Sequence, residues 1–220
     1  MEKRKVLFGS YDTALEGSWT VSGLELTSPS FQQNLVQVPG RDGPLDLSTA
    51  LTGEPVYGSR ELIVVLENSD DDRMARERRI QDIIARLDGR REQIWLPDNM
   101  DYYLTGRIHI EKNYNDMAHA AITVTATCDP WLFRNEETVH TLIATNEAQT
   151  ATIVNPGRKP AVPVIAVTGG SVDLNYGGYS WTLSAGSYHL PDFVLAAGSN
   201  TLEYRGAGMI EIKYREAVLL

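Results

Sequence analysis

Strict alternation between apolar residues and threonines over residues 120–128 is the strongest constraint on how this chain can fold. The apolar positions are Ala120, Ile122, Val124, Ala126 and Cys128, and the positions between them are Ala121, Thr123, Thr125 and Thr127. Successive side chains of a β-strand point to opposite faces. The segment therefore predicts a strand with a buried apolar face and a hydrophilic threonine face. Cys128 falls on the apolar face, where a cysteine is a small, inert core residue.

A second strand is predicted to pair with this one in a long hairpin. Its strands are residues 102–111 and 117–128, and Asn113–Asp116 carries the turn chemistry between them. The run Arg60–Leu66 predicts a further strand. None of these strands contains a proline. We therefore expect them to pair with strands of other copies, because proteins normally cover or charge an open sheet edge.

One helix is predicted in the first half of the chain, from Asp70 to Leu87. The aspartates at positions 70–72 suit a helix N-terminus, where carboxylates satisfy free amides and the helix dipole. The helix has one apolar stripe with i, i+3, i+4, i+7 spacing, formed by Ile80, Ile83, Ile84 and Leu87. Its arginines fall mostly off this stripe among acidic residues. The polar face is therefore interpreted as solvated or subunit-facing rather than DNA-binding.

The second half of the chain predicts short strands separated by turns. Asp129–Pro130 ends the hairpin, because proline cannot continue a central ladder. The polar residues 133–149 are interpreted as a crossover linker. Strands are expected after it at residues 150–154, 162–167, 171–174, 180–183, 186–190, 200–204 and 209–214. We therefore expect a mainly β protein with one amphipathic helix, in which an α+β domain (1–132) precedes an all-β sandwich (150–220).

Charge and hydropathy exclude several classes of protein. The formal net charge of −9 argues against a general nucleic-acid binder, which needs a basic face. It suits a protein that lets DNA pass without adsorbing it. No apolar run approaches the ~20 residues of a membrane span. Because the apolar run Val6–Phe8 is too short for a secretion signal, we expect synthesis in a cytoplasm and no membrane partner.

The sequence contains no convincing catalytic, cofactor or metal site. The serine-hydrolase elbow Gly-x-Ser-x-Gly has only an incomplete match at Gly178–Thr182, and the phosphate-binding loop motif is absent. His109 and His119 could approach each other across the predicted hairpin, but no third metal ligand accompanies them. Cys128 is the sole cysteine, so there is no internal disulfide. We therefore do not expect an enzyme, a cofactor or a bound metal.

Two clusters are candidates for contacts with other molecules. The first is a predicted hairpin tip flanked by apolar residues, which we expect to reach a neighbouring copy, and it consists of Gly40, Arg41, Asp42, Gly43 and Pro44. The second is an aromatic cluster in the sandwich domain, with Tyr176, Tyr179 and Trp181 as possible glycan contacts. Aromatic residues of a β-sandwich more often alternate between the core and an oligomer interface, so both interpretations stay open.

The order of several weak motifs carries a family resemblance. The motifs are Pro39–Gly43, Gly53, Tyr57–Arg60, the helix, Trp95–Pro97, Tyr102–Gly106, Cys128–Trp131, Asn155–Gly157, Gly186–Pro191, Gly198–Leu202 and Tyr214–Glu216. In this order the chain resembles, over nearly its whole length, the distal tail protein (Dit) family of siphophages and prophages.

This resemblance implies a fold, a location and partners. It implies an N-terminal belt domain that closes a hexameric ring, followed by a C-terminal galectin-like β-sandwich. It places the protein at the virion tail tip or baseplate, as a structural hub that joins the tail tube to the host-adsorption apparatus. The implied neighbours are the major tail protein, the tape-measure protein and a tail-associated lysin or spike protein, with genomic DNA passing through the pore.

Two other functions remain open at the level of sequence. One is a carbohydrate-binding module that recognises the host cell wall through the aromatic cluster. The other is a small wall hydrolase, for which the many carboxylates supply the residue type but not a recognisable spacing. Some members of the family carry inserted carbohydrate-binding modules, and this chain has no room for one.

Overall fold

The chain divides into two compact units, the first ending at Leu132 and the second covering Phe133–Leu219. The computed structural model describes residues 4–69, 72–115 and 119–219.

The first unit is built on a large antiparallel sheet with two helices. Its strands are β1 (Leu7–Phe8), β2 (Tyr11–Asp12), β3 (Thr20–Leu26), β4 (Leu35–Val36), β5 (Leu45–Asp46), β6 (Arg60–Asn68), β7 (Arg91–Leu96), β8 (Asn99–Asn115) and β9 (Ala120–Cys128). The helices are α1 (Thr13–Glu16) and α2 (Arg73–Leu87). The main sheet has the strand order β2-β1-β7-β8-β9-β6-β3, and β4 pairs only with β5.

The predicted alternation along β9 is confirmed from Ile122 to Cys128, whereas Ala121, on the threonine face, is also buried. The five apolar positions of that strand are buried, whereas Thr123 and Thr125 are half-buried and Thr127 is exposed. The neighbouring strand β6 buries Leu62, Val64 and Leu66 on the same side of the sheet. Helix α2 lies against β8 and contributes the buried residues Ile80, Ile83 and Leu87. The core of the first unit is therefore the space between one sheet face and one helix.

Helix α2 matches its prediction where the chain is described. The expected start at Asp70 and Asp71 lies outside the described residues, but Asp72 is the N-cap and accepts the backbone N–H of Met74 at 2.9 Å. The helix ends before Gly89, whose φ of +73° is favourable only for glycine. The turn expected at Asn113–Asp116 also lies partly outside the described residues. The four-residue helix α1, capped by Asp12, has no counterpart in the prediction, because four residues are too few to show the i, i+3, i+4, i+7 spacing.

Arg76 departs from the prediction that the arginines lie off the buried stripe. It is 0% exposed and precedes Ile80 by four residues, so it extends the same stripe. Its Nε donates to Asn115 Oδ1 at 3.2 Å. The carboxylate of Glu77 accepts from Asn115 Nδ2 at 3.0 Å and from Lys112 Nζ at 2.6 Å. A buried guanidinium requires such polar partners, and this network joins α2 to β8.

The second unit is a β-sandwich of two four-stranded sheets. The strands of these sheets are β11 (Thr138–Ala144), β12 (Gln149–Asn155), β13 (Val164–Thr168), β14 (Val172–Tyr176), β15 (Tyr179–Leu183), β16 (Gly186–His189), β17 (Gly198–Gly206) and β18 (Gly208–Tyr214). Two short strands, β10 (Leu132–Arg134) and β19 (Ala217–Val218), pair with each other outside these two sheets. The sheets have the orders β11-β18-β13-β16 and β12-β17-β14-β15. Residues from both sheets meet in one core, with Phe193 and Leu195 fully buried between them.

The prediction of a linker over residues 133–149 is wrong. This segment contains β11, which pairs with β18 along its whole length, from Thr138↔Tyr214 to Ala144↔Gly208. Little of this strand is buried, since Val139, Thr141 and Ile143 are exposed. Because apolar residues stand on the exposed face and His140 stands on the other face, the sequence does not show the alternation of a half-buried strand, although the backbone pairs with β18 throughout.

Candidate interaction surfaces

The residues between β3 and β6, 28–59, form a long exposed hairpin that we call the arm. Its two sides are joined near the base by a hydrogen bond from the N–H of Gly58 to the carbonyl of Ser30, at 2.8 Å, and by a bridge between Phe31 and Tyr57. Further out, the short β4–β5 ladder continues the pairing. The arm is therefore a two-stranded ribbon anchored at one end.

The tip of the arm lies where the sequence predicts a sharp hairpin. All of Gly40–Pro44 are exposed, and Gly40 and Gly43 have φ values of +79° and +73°. The N–H of Arg41 donates to the carbonyl of Val38 at 3.2 Å. Positive φ angles favour glycine, so the two glycines permit this turn. Its role as an oligomer contact stays a prediction.

The arm exposes an unusual number of large apolar side chains. Leu51 is 98% exposed, and its neighbours in the arm with more than a third of their surface exposed are Phe31, Leu35, Val36, Val38 and Val56. A single two-stranded hairpin is at best marginally stable in water, and contiguous exposed apolar residues mark interaction sites. The arm therefore has the physical character of a segment that docks on another molecule.

The strands that we expected to offer open edges are central in the sheet. Strand β6 lies between β9 and β3 and has partners on each side, whereas β8 pairs with β9 as far as Asn115 but with β7 only from Asn99 to Arg107. The expectation that they pair directly with other copies is therefore wrong for β6, for β9 and for the part of β8 that pairs with β7, and it stays a prediction for residues 111–115. Within the described residues, the strands at the two ends of the sheet are β2, with two residues, and β3, with seven. Because β3 is the longer of the two and contains no proline, it is the edge on which a further strand could add.

The residues that could have formed a metal or catalytic site do not come together. His109 lies opposite Thr125 in the sheet and contacts Asp88 at 3.2 Å, whereas His119 packs edge-on against Tyr114. No group of three or more His, Cys, Asp or Glu residues that could hold a metal ion occurs within 4–69, 72–115 and 119–219.

Neither Ser180 nor Cys128 lies in an environment that would make it a nucleophile. Ser180 is the second residue of β15 and does not lie on the strand-to-helix turn that a hydrolase nucleophile occupies. Cys128 is buried, and burial raises the pKa of its thiol to about 12. Thiols react as thiolates, so Cys128 behaves as the core residue that the sequence predicts.

The three predicted glycan-contact residues have different environments. Tyr176 packs against Phe193 with ring centroids 4.7 Å apart, and its hydroxyl donates to the carbonyl of Val194 at 2.8 Å. Trp181 also packs against Phe193, at 5.7 Å. Tyr179 is 51% exposed and stacks on Trp181 at 5.8 Å. Tyr176 and Trp181 therefore extend the sandwich core, and Tyr179 is the one that presents most of its ring to solvent.

The outer face of the β12-β17-β14-β15 sheet is polar and carries two different rows of side chains. In one row Asp173 accepts from Thr182 Oγ1 at 2.7 Å and from Arg205 Nε at 3.0 Å. The hydrogen bond from Thr182, together with that from Arg205, holds the pKa of Asp173 below its ordinary value. The polar side chains of this row are therefore hydrogen-bonded to one another.

The adjacent row on the same face is not satisfied internally. Here Glu203 lies opposite Asn175, which lies opposite Ser180, and these side chains make no hydrogen bond to any residue that the structure describes. With Thr201 they line a depression of about 320 Å³ beside the turn Gly177–Gly178. These residues were not predicted from the sequence. The alternation along β14 and β17 could have placed them on an outer face, but not side by side.

The outer face of the other sheet is more apolar. Ile143 is 70% exposed, and Val139, Val164 and Met209 are exposed on the same face. Among them lies an ion pair of Lys213 and Glu211, at 2.7 Å. The two outer faces of the sandwich therefore differ in chemistry. No helix in the described part of the chain is long and apolar enough to cross a membrane.

A solved structure shares this fold. The chain is similar to the Dit protein (gp 19.1) of SPP1, a paradigm of the hub adsorption apparatus in phages that infect Gram-positive bacteria, with a TM-score of 0.69. The similarity covers 97% of this chain and 99% of the SPP1 protein, at 14% sequence identity. No protein-family model and no curated protein sequence matches. The fold implied by the sequence motifs is confirmed: the chain has the mainly β fold of a Dit protein.

Proposed function

We propose that this protein is a structural hub of a phage or prophage tail tip, rather than an enzyme. The observation that carries the proposal is the exposed apolar arm on a chain whose whole fold is similar to that of the SPP1 hub protein. A hub must contact several molecules at once, and the arm, the free β3 edge and the apolar sandwich face are separate surfaces suited to protein contacts. The protein would join the tail tube to the host-adsorption apparatus.

The first unit would form a closed ring of identical copies. A head-to-tail interface that closes removes every open edge at once, and the arm of one copy can cover apolar surface on the next. The family resemblance implies six copies. It also implies the partners: the major tail protein and the tape-measure protein on one side, and a tail-associated lysin or spike protein on the other.

Genomic DNA would pass through the ring without specific binding. The formal net charge of −9 supports this part of the proposal, because like charges repel and DNA would not adsorb to an acidic protein. The threonine face of β9 offers a polar surface of the kind that a wet channel or interface requires. The virion tail tip is the location that follows.

The oligomeric mass of the purified protein tests the proposal. Native mass spectrometry and negative-stain microscopy at micromolar concentration should show closed rings with a central pore. Deleting residues 40–44 should lower the oligomeric mass and leave the second unit folded, as judged by its thermal unfolding. The matched control replaces Arg41 and Asp42 by serine. It keeps the length of the hairpin, so it separates the loss of these two side chains from the loss of the turn itself.

Two outcomes would count against the proposal. A protein that remains monomeric alone and also fails to join a ring with the other tail-tip proteins would reject the hub function. Intact rings formed by the deletion variant would reject the assignment of the arm tip to the interface, while leaving the ring itself in place.

A further inference from the structure

We propose that Asp42, at the tip of the arm, is a site of spontaneous covalent modification, at which the Asp42–Gly43 linkage rearranges to an isoaspartyl linkage. The dipeptide Asp-Gly occurs twice in the sequence, at Asp42–Gly43 and at Asp88–Gly89, and Asn-Gly does not occur. The two sites have the same chemistry but lie in different environments. This inference goes beyond the proposed hub function, because the reaction needs an exposed tip and not a ring.

The reaction joins an aspartate side chain to the backbone nitrogen of the next residue. The nitrogen of Gly43 attacks Cγ of Asp42, so that an N–Cγ bond forms and the carboxyl hydroxyl leaves with the amide proton as water. Water then adds to the resulting five-membered succinimide. When it adds to the α-carbonyl carbon, the original bond from that carbon to the Gly43 nitrogen breaks, and Gly43 stays attached through Cγ. One water is released and one is consumed, so the product is an isomer with an extra methylene in its main chain.

The two sites are alike in the local features that favour this attack. Glycine has no Cβ to shield its backbone nitrogen. Gly43 and Gly89 both have a φ of +73°, and a Cβ added at either would meet nothing within 4 Å. The conformation of the glycine and the space around it therefore do not distinguish the two sites.

Hydrogen bonds hold both reacting groups of Asp88–Gly89. The N–H of Gly89 donates to the carbonyl of Ile108 at 2.9 Å, and Oδ1 of Asp88 accepts the N–H of Ile110 at 2.9 Å. The same carboxylate oxygen lies 3.2 Å from Nδ1 of His109. Attack at this site therefore requires a local opening that releases the end of α2 from β8.

No such hydrogen bonds hold Asp42–Gly43. Both residues are exposed, and neither the carboxylate of Asp42 nor the N–H of Gly43 bonds to any residue that the structure describes. The β4–β5 ladder ends at the pair Val36↔Leu45, so the aspartate can turn towards the nitrogen without disturbing a paired strand. Exposed loop tips are the places where such local rearrangement is tolerated. The fold thus protects one Asp-Gly and leaves the other free to react.

Ageing the full chain at neutral pH and physiological temperature for several weeks tests this inference. The chain is kept dilute and its monomer fraction is analysed, so that assembly does not cover the tip. Cleavage after glutamate places the two sites on separate peptides, 26–54 and 78–92, in which mass spectrometry distinguishes isoaspartate by its retention time and its fragments. We expect isoaspartate to form at position 42 roughly tenfold or more faster than at position 88, because two hydrogen bonds must be broken at the second site.

Two controls separate the effect of the fold from that of the sequence. In concentrated urea the hydrogen bonds at Asp88 are lost, and the two sites should react at comparable rates. Asp42→Glu keeps the charge at the tip, but its side chain would have to close a six-membered ring, which is much slower. This variant should therefore lose the signal from peptide 26–54 and keep the wild-type rate at position 88.

Three results would overturn the inference. The first is an equal rate at the two sites in the folded chain. The second is the absence of isoaspartate at position 42 in a folded chain that acquires it there in urea. The third is an undiminished signal from peptide 26–54 in Asp42→Glu, which would place the modification at another residue. Because the readout is covalent and uses the monomer, none of these results depends on whether the protein forms rings.

Discussion

Tyr57 and Trp131 meet edge-on at the base of the arm, with ring centroids 5.6 Å apart and ring planes at 82°. Phe31, on the opposite side of the arm, lies 6.1 Å from Tyr57, so three rings fasten the ribbon to the first unit. Such aromatic pairs contribute about 0.5–1.5 kcal/mol each beyond their buried area.

Replacing Tyr57 by alanine should loosen the arm without unfolding the first unit. The core between the sheet and α2 does not depend on this ring, so the thermal midpoint should fall only slightly. Hydrogen exchange should rise along residues 30–58 and stay unchanged in β6. Tyr57→Phe keeps the ring contacts and should behave as the wild type. A global loss of protection in Tyr57→Ala would show instead that the arm base is part of the core.

Arg41 should be the first site of tryptic cleavage in the unassembled protein. It is the only lysine or arginine within the arm, it is exposed, and exposed loop tips are preferred sites of proteolysis. Mass spectrometry of a brief digest should show one cut after Arg41, which Arg41→Gln abolishes. Protection of this bond in rings, but not in monomers, would follow from docking of the arm. Equal cleavage in both states would contradict it.

An acidic residue at the centre of the α2 stripe should disrupt the first unit. Ile83 is fully buried, and an unpaired carboxylate there costs several kcal/mol, a large part of the ~5–15 kcal/mol that stabilises a typical domain. Ile83→Asp should therefore abolish the cooperative unfolding transition of this unit. Ala85→Asp, at an exposed position of the same helix, is the control and should change the midpoint little. An unchanged midpoint for Ile83→Asp would mean that α2 does not pack as described.

Asp12 should make the first unit sensitive to acid. Burial alone would raise its pKa, but hydrogen bonds from Lys5 Nζ, at 2.8 Å, and from the N–H groups of Leu15 and Ala14 outweigh burial and lower the pKa below the ordinary 3.8. A lowered folded-state pKa contributes stability that is full above the ordinary value and is lost as pH falls through the folded value.

Asp12→Asn isolates this contribution. The amide keeps an N-cap acceptor for α1 but loses the ion pair with Lys5. Chemical denaturation should show the variant to be less stable at neutral pH, with a difference that narrows steadily below about pH 4. If the difference in unfolding free energy between the variant and the wild type did not change with pH, the lost stability would come from the shape of the side chain rather than from the charge of Asp12.

The sequence predicts well those features that a single segment encodes. The alternation along residues 120–128 specifies one strand and its buried face. The spacing of Ile80, Ile83 and Leu87 does the same for one helix. Both patterns arise because one side of the element meets an apolar core. The arm tip at Gly40–Pro44 is equally local, since its glycines permit the positive φ angles that the turn adopts.

Features that depend on neighbours were missed. Strand β11 shows no clear apolar face because Val139 and Ile143 are exposed while His140 lies on the other face, and its identity comes from pairing with β18. The position of β6 within the sheet depends on which strands lie beside it, not on its own composition. The row Glu203–Asn175–Ser180 requires the register of three strands. Registers are set by long-range packing, so no local pattern reveals this juxtaposition.

Cys128 provides the first unit with an internal probe of how often its sheet opens. The chain has a single sulfhydryl, it sits in β9 between β8 and β6, and its thiol is protonated at neutral pH because burial raises its pKa to about 12. A thiol reagent can modify it only after the strands around it separate. The rate of thiol labelling therefore measures how often this sheet opens, and it reports on the first unit alone because the second unit contains no cysteine. The same atom can time those events in a free chain and in a finished assembly, without any engineered label.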